Sequence, residues 1–239
     1  ATHSDIDDES QSVHYPEIST TASDTDITDE VGMSARNAGI TDEVRMHNLV
    51  PGTTYTVTGR LFRQSDGTEF VQTGIEMIPE TFTAEAADET HYVTFTGIDA
   101  TAIQGDSLVV FEKLIVNDVE VTKHEDINDT AQTVHYPEVQ TEAVDAVTET
   151  HQGTIFGQAI NWIRTLLGEE MPAEGNQVVV DRVTLTNLVP GKTYTVEGVL
   201  MNRATGEPLL INDEEITQSA TVVVTEDGQI TAPDGEKVT

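Results

Sequence analysis

The sequence predicts an all-β protein built from tandem antiparallel β-sandwich repeats of immunoglobulin type, one complete and one truncated. Three observations lead there. The peptide His3-Ser4-Asp5-Ile6-Asp7-Asp8-Glu9-Ser10-Gln11-Ser12-Val13-His14-Tyr15-Pro16-Glu17 returns in close copy from His124 to Glu138, 121 residues later, with its His, two Asp and Gln kept. A fixed period of that kind marks a tandem array. Between the copies, short runs of alternating apolar and polar residues, rich in Thr, Val and Tyr, are separated by turn residues. About seven such strands in a unit of about 120 residues match a two-sheet sandwich.

The elements follow in order. Ile18, Thr20 and Ala22 share one face of a first strand, opposite to Ser19 and Thr21. Asp42-Glu43-Val44-Arg45-Met46-His47-Asn48-Leu49 alternates and runs into the turn Val50-Pro51-Gly52-Thr53. Tyr55-Thr56-Val57-Thr58-Gly59-Arg60-Leu61-Phe62 alternates again, and Ser65-Asp66-Gly67-Thr68 reads as a hairpin turn. Tyr92–Thr96 and Leu108–Val116 are further strands, the second apolar enough to be central. Asn117-Asp118 turns the chain into Val119–Lys123.

The following repeat restarts at Tyr136-Pro137-Glu138. Asn187–Gly198 answers Asn48–Gly59 at an offset of 139, so 18 extra residues precede Asn187. Within Thr154–Gly168, Ile155, Phe156, Ala159, Ile160, Ile163, Leu166 and Leu167 fall on one helical face, which predicts a short helix packed over a sandwich edge. It is too short to span a bilayer. Beyond Met201 nothing corresponds to Val109-Val110-Phe111-Glu112 or to the His124–Gln132 peptide. The expected divisions are 1–15, the tail of a preceding repeat; 16–136, the complete repeat; and 137–239, the N-terminal part of a following repeat with the insertion near 154–168.

Composition narrows the function classes. There are 43 Asp and Glu against 11 Lys and Arg, a formal charge of −32. Such a surface repels nucleic acid and anionic membrane, and no basic stripe offsets it. Cysteine is absent, which removes disulfides, thiolate metal sites and cysteine nucleophiles together. Asp126-Ile127-Asn128-Asp129 lacks the Gly and terminal Glu of a calcium loop, so no metal and no cofactor are expected.

One constellation suggests chemistry. Thr20 faces inward if Ile18 does, and an inward hydroxyl is costly without a partner. Gln132 shares a side with Val134, and the first and last strands of such a sandwich can lie side by side. A Thr hydroxyl beside a Gln carboxamide, with a His nearby, is what acyl transfer needs. His124, eight residues before Gln132, falls at the end of the preceding strand or in the connecting loop.

The same residues carry a resemblance. Asp42 ahead of Val44, Asn48-Leu49-Val50-Pro51-Gly52, Tyr55-Thr56-Val57-Thr58-Gly59, Val109-Val110-Phe111-Glu112 and the His124–Thr133 peptide are similar, in order, to the VaFE-type repeat of Gram-positive surface proteins. These are immunoglobulin-like adhesin domains that form intramolecular Thr–Gln ester bonds. The resemblance implies Thr20 as nucleophile, Gln132 as acyl donor, His124 as general base and then acid, and Asp42 with Glu112 as an acid pair sharing a proton. The following repeat keeps Thr141 and Asp181 but lacks the rest. The preceding fragment keeps His3 and Gln11 but lacks its Thr.

The expected function is therefore a structural stalk repeat of a bacterial cell-surface adhesin. It would be fixed by one autocatalytic Thr20–Gln132 ester and would not be a turnover enzyme. The partners expected are neighbouring repeats, with any host or matrix ligand met through other domains; the expected location is extracellular. The rival reading is a ligand- or glycan-binding module without a cross-link, gripping through a repeat face or through Trp162. Few aromatics are available in the complete repeat for stacking on sugars. A Lys–Asn isopeptide staple is disfavoured because none of Lys113, Lys123, Lys192 and Lys237 lies in the first strand.

Overall fold

Alternation of side chains decides the first pair of strands. A computed structural model describes residues 5, 8, 11–145 and 179–232. In it β1 (Glu17–Asp24) runs antiparallel to β2 (Ala38–His47), with Thr20 opposite Val44 and Ala22 opposite Asp42. Thr20, Ala22 and Asp24 are buried while Ser19 and Thr21 are exposed, the period of two that a half-buried strand requires.

Seven more strands complete this unit: β3 (Thr54–Arg63), β4 (Glu76–Ile78), β5 (Glu80–Thr83), β6 (Glu89–Ile98), β7 (Ser107–Val116), β8 (Val119–His124) and β9 (Thr133–His135). One sheet has the order β1-β2-β6-β4; the other has β5-β3-β7-β8, with β9 pairing the N-terminal end of β7. All neighbours are antiparallel. Ile40, Val44, Val57, Val93, Leu108 and Leu114, drawn from both sheets, are fully buried between them. Burying apolar surface of this kind is the main force holding the layers together.

Turn chemistry sets the registers. Gly52 takes φ +84° in the β2–β3 turn, where Thr53 N donates to Val50 O at 3.1 Å. Asn117 and Asp118 both adopt positive φ, as a two-residue hairpin between β7 and β8 requires. Two features differ from the expectation. The short β4 and β5 were not foreseen, because the chain crosses from one sheet to the other within Glu76–Thr83 and shows no sustained alternation there. Gln132 does not sit on the last strand; it closes the 3-10 turn Thr130–Gln132 that precedes β9.

The exit from this unit is held on both sides. Gly32 N donates to His135 O at 2.7 Å and His135 N to Glu30 O at 2.8 Å, while Tyr136 N donates to Asp106 O at 3.0 Å. Tyr136 is fully buried, with its ring over Gly32.

The second compact unit, Glu138–Thr239, repeats the opening of the first. Its β10 (Glu138–Asp145) pairs with β11 (Val179–Thr186), placing Thr141 opposite Val183 and Ala143 opposite Asp181, the same register as in β1–β2. Val189 N donates to Tyr194 Oη at 2.9 Å, as Val50 N does to Tyr55 Oη at 3.0 Å. Then β12 (Thr193–Val199) pairs with the strand Thr217–Val224, with Tyr194 opposite Val222 as Tyr55 is opposite Phe82. The helical insertion expected near 154–168, with Trp162, lies outside the described residues.

Candidate functional site

Among the buried polar residues of the complete unit, four form one cluster. Thr20, on β1, is 4% exposed; Asp42 on β2, Glu112 on β7 and Gln132 at the end of its 3-10 turn are fully buried. Glu112 follows from pleat geometry: it shares the inward face with Val110 and Leu114, so the apolar run of β7 carries one carboxylate to the core.

His124 ends β8 directly opposite Glu112. Its Nδ1 stands 3.3 Å from Thr20 Oγ1, and its Nε2 stands 3.0 Å from Asp129 Oδ2. An Nε2–H donated to Asp129 leaves Nδ1 as an acceptor turned toward the Thr20 hydroxyl. The other oxygen of Asp129 accepts from Ala131 N at 2.8 Å, capping the turn that carries Gln132, and Thr133 Oγ1 donates to Asp129 O at 2.7 Å. Gln132 Nε2 donates to Glu112 Oε2, and the Thr20 side chain reaches the same Glu112 carboxyl. Glu112 is thus the common neighbour of hydroxyl and carboxamide. β1 and β9 are not paired strands, however. Gln132 comes near β1 from the 3-10 turn that interrupts the edge formed by β8 and β9 along β7.

The electrostatics are those of a dry pocket. Burial, then the charge of Asp42, pushes the Glu112 carboxyl far above the usual carboxylate range. Burial also raises Asp42, against the opposing influence of Glu112 and the Thr21 N–H. Neither oxygen of Asp42, nor Oε1 of Glu112 or Gln132, makes a hydrogen bond of good geometry. Two carboxyls this deeply buried and this close resist double ionisation. His124 and Asp129, each about a quarter exposed, form the only side of the cluster open to water.

The structure therefore brings together Thr20, Asp42, Glu112, His124 and Gln132. Thr141 is exposed on β10 and Asp181 half-buried on β11, with burial raising the Asp181 carboxyl. Gln11 is exposed, and His3 lies outside the described residues. Asp129 was missed. The signal for it was present, because Asp8 and Asp129 each stand three residues before the Gln of the repeated peptide. Among the described residues no group of three or more His, Asp or Glu side chains converges as a metal site. No helix among them is long and apolar enough to cross a membrane.

With this geometry in view, the family comparison is decisive: the T-Q ester bond containing domain matches residues 16–136 and again 137–238. The chain belongs to that family. No curated protein sequence matches it. Among solved structures, this T-Q domain protein is similar to a bacterial adhesin from Mobiluncus mulieris containing intramolecular disulfide, isopeptide and ester bond cross-links. In one crystal form the identity is 15%, covering 88% of this chain and 94% of that one, with a TM-score of 0.41. In a second form the identity is 16%, the coverage 88% and 93%, and the TM-score 0.43. A β-galactosidase from Bacteroides fragilis matches 44% of this chain and 15% of its own at 16% identity, with a TM-score of 0.33.

Proposed function

We propose that residues 16–136 form a shaft unit of a bacterial surface adhesin that locks itself once, by an ester between Thr20 and Gln132. The observation that carries this is the continuous line from Thr20 Oγ1 through His124 to Asp129, ending one turn from the Gln132 carboxamide.

In this reading His124 Nδ1 takes the Thr20 hydroxyl proton while Asp129 stabilises the imidazolium that forms. Oγ1 attacks Cδ of Gln132, opening its C=O to a tetrahedral centre. The Glu112 carboxyl meets Gln132 at Nε2, so the Asp42–Glu112 pair holds the amide nitrogen that becomes the leaving group. His124 then returns its proton to Nε2, the C–N bond breaks, and ammonia leaves past the exposed His124–Asp129 side. One hydroxyl and one amide become one ester and one ammonia. Nothing turns over, because the product stays in the site.

The mechanical consequence follows from placement. Load entering at Pro16 reaches Thr20 within β1, crosses the ester to Gln132, and leaves through β9 and the doubly hydrogen-bonded exit at His135–Tyr136. The 111-residue segment between the linked residues is then shielded from tension. Pulling single molecules tests this. The wild-type unit should not release that segment, whereas Thr20→Ala should release roughly 370–400 Å of chain, at the reach of an extended backbone. Equal extension in both would refute the shaft reading.

A further inference from the structure

A second polar cluster lies away from the ester site, at the rim of the sandwich where β5 of one sheet meets β6 of the other. His91 on β6 pairs with Val44 on β2, so its side chain shares the inward face with that buried valine. Its Nδ1 is 2.8 Å from Glu80 Oε1 on β5, and its Nε2 is 2.9 Å from Glu89 Oε2 on its own strand. The ring stacks on Phe82 of β5, centroids 3.6 Å apart. Both carboxylates are otherwise engaged as acceptors. Glu80 Oε2 takes the Tyr92 N–H at 2.9 Å, and Glu89 Oε1 takes the N–H groups of Glu85 and Ala86.

Two acceptors, one at each ring nitrogen, are matched only by an imidazolium, which has two N–H donors. A neutral ring turns a lone pair toward one carboxylate. The groups facing the ring are Glu80 from β5, Glu89 from β6, and the uncharged Val44 and Met46 from β2. Arg45 is turned to the other face, against Glu43. Among the described residues no cation competes with the ring.

We propose that His91 is a proton-dependent pin that ties the edge strand β5 to the opposite sheet and releases it when the ring becomes neutral. Burial pulls the His91 pKa down, but the hydrogen bonds and charges of Glu89 and Glu80 outweigh it, so the net direction is upward from 6.5. The pin is fully present below 6.5 and is lost as pH rises through the higher folded value. At the acid end it fails as Glu80 and Glu89, both lowered from 4.5, take up protons. β5 lies inside the segment between Thr20 and Gln132, so an ester there does not itself secure this edge. The device operates in linked and unlinked protein alike, and its test does not depend on the cross-link.

The experiment is NMR on the full 239-residue chain from about pH 5 to about pH 8, the range in which histidines titrate. It follows the His91 ring nitrogens and the exchange protection of the Glu80–Thr83 amides, corrected for intrinsic rates. The expected result is a ring protonated at both nitrogens with a midpoint above 6.5, and β5 protection that falls as the proton leaves. Glu80→Gln should lower that midpoint, and His91→Gln should remove the pH dependence of β5 protection. A midpoint at or below 6.5, β5 protection unchanged through the titration, or the same pH dependence in His91→Gln would overturn the proposal.

Discussion

Asp129 Oδ2 lies 3.0 Å from His124 Nε2 while its Oδ1 caps the turn that ends at Gln132. A single carboxylate therefore fixes the imidazole and positions the amide that the imidazole is proposed to serve. These two duties are separable by substitution.

Asp129→Asn keeps a good helix-capping oxygen but sets an amide N–H against His124 Nε2, favouring the wrong tautomer. Closure of the cross-link, followed by mass over time after refolding, should slow by about 10²–10⁴-fold, the usual worth of a positioned proton-transfer group. The circular dichroism and the melting profile of the freshly folded, still unlinked chain should match the wild type at the same stage. His124→Ala should slow closure at least as much. Normal closure in both variants would remove His124 and Asp129 from the account.

Removing the bond should cost stability without changing the fold. By analogy with a disulfide closing a loop of this length, Thr20→Ala or Gln132→Ala should lower the unfolding free energy by about 4–5 kcal/mol. Chemical denaturation of linked wild type against either variant measures it. A difference near zero would mean that no covalent loop had formed.

Glu112 gives a pH dependence whose sign is fixed. Its carboxyl is raised above 4.5 in the folded protein, so the native state holds the proton more tightly than the unfolded chain. Stability must then fall as pH rises above 4.5 toward the folded value. In the unlinkable Thr20→Ala background, Glu112→Gln abolishes that contribution. The gap between the two proteins, read from denaturation midpoints, should move in favour of the Gln form as pH increases. A gap that stays constant would show that Glu112 is not held protonated.

The exit of the unit offers a packing test. A Cβ at Gly32 would sit against Cε1 of the buried Tyr136 ring and 2.8 Å from its Cδ1. Gly32→Ala should therefore destabilise by about 1–3 kcal/mol, as overpacking does. Tyr136→Leu in the same background should recover part of the loss. If Gly32→Ala melts like wild type, the linker is not anchored by Tyr136.

Most of this arrangement was legible in the chain because it rests on periodicity. Ile18, Thr20 and Ala22 share a face by the pleat alone, and Glu112 stands out as one carboxylate in an apolar run. The repeated peptide fixed the spacing of His124 and Gln132. What the sequence hid was tertiary. The crossing strands β4 and β5 are edge strands of three and four residues on different sheets, too short to show a sustained alternation. Gln132 leaves the strand pattern because three residues of 3-10 turn, capped by Asp129, interrupt the edge that β8 and β9 form along β7. Asp129 is kept in the repeated peptide, but only the fold sets it against His124. The His91 cluster joins residues from two sheets, a relationship that no local spacing reveals.

Intact mass reports most directly on whether the Thr20 hydroxyl has reacted with the Gln132 carboxamide. The folded wild-type chain should weigh less than its sequence by one ammonia, and Thr20→Ala and Gln132→Ala should each show the full mass of their own sequences. A well-folded wild-type chain at full mass would contradict the account.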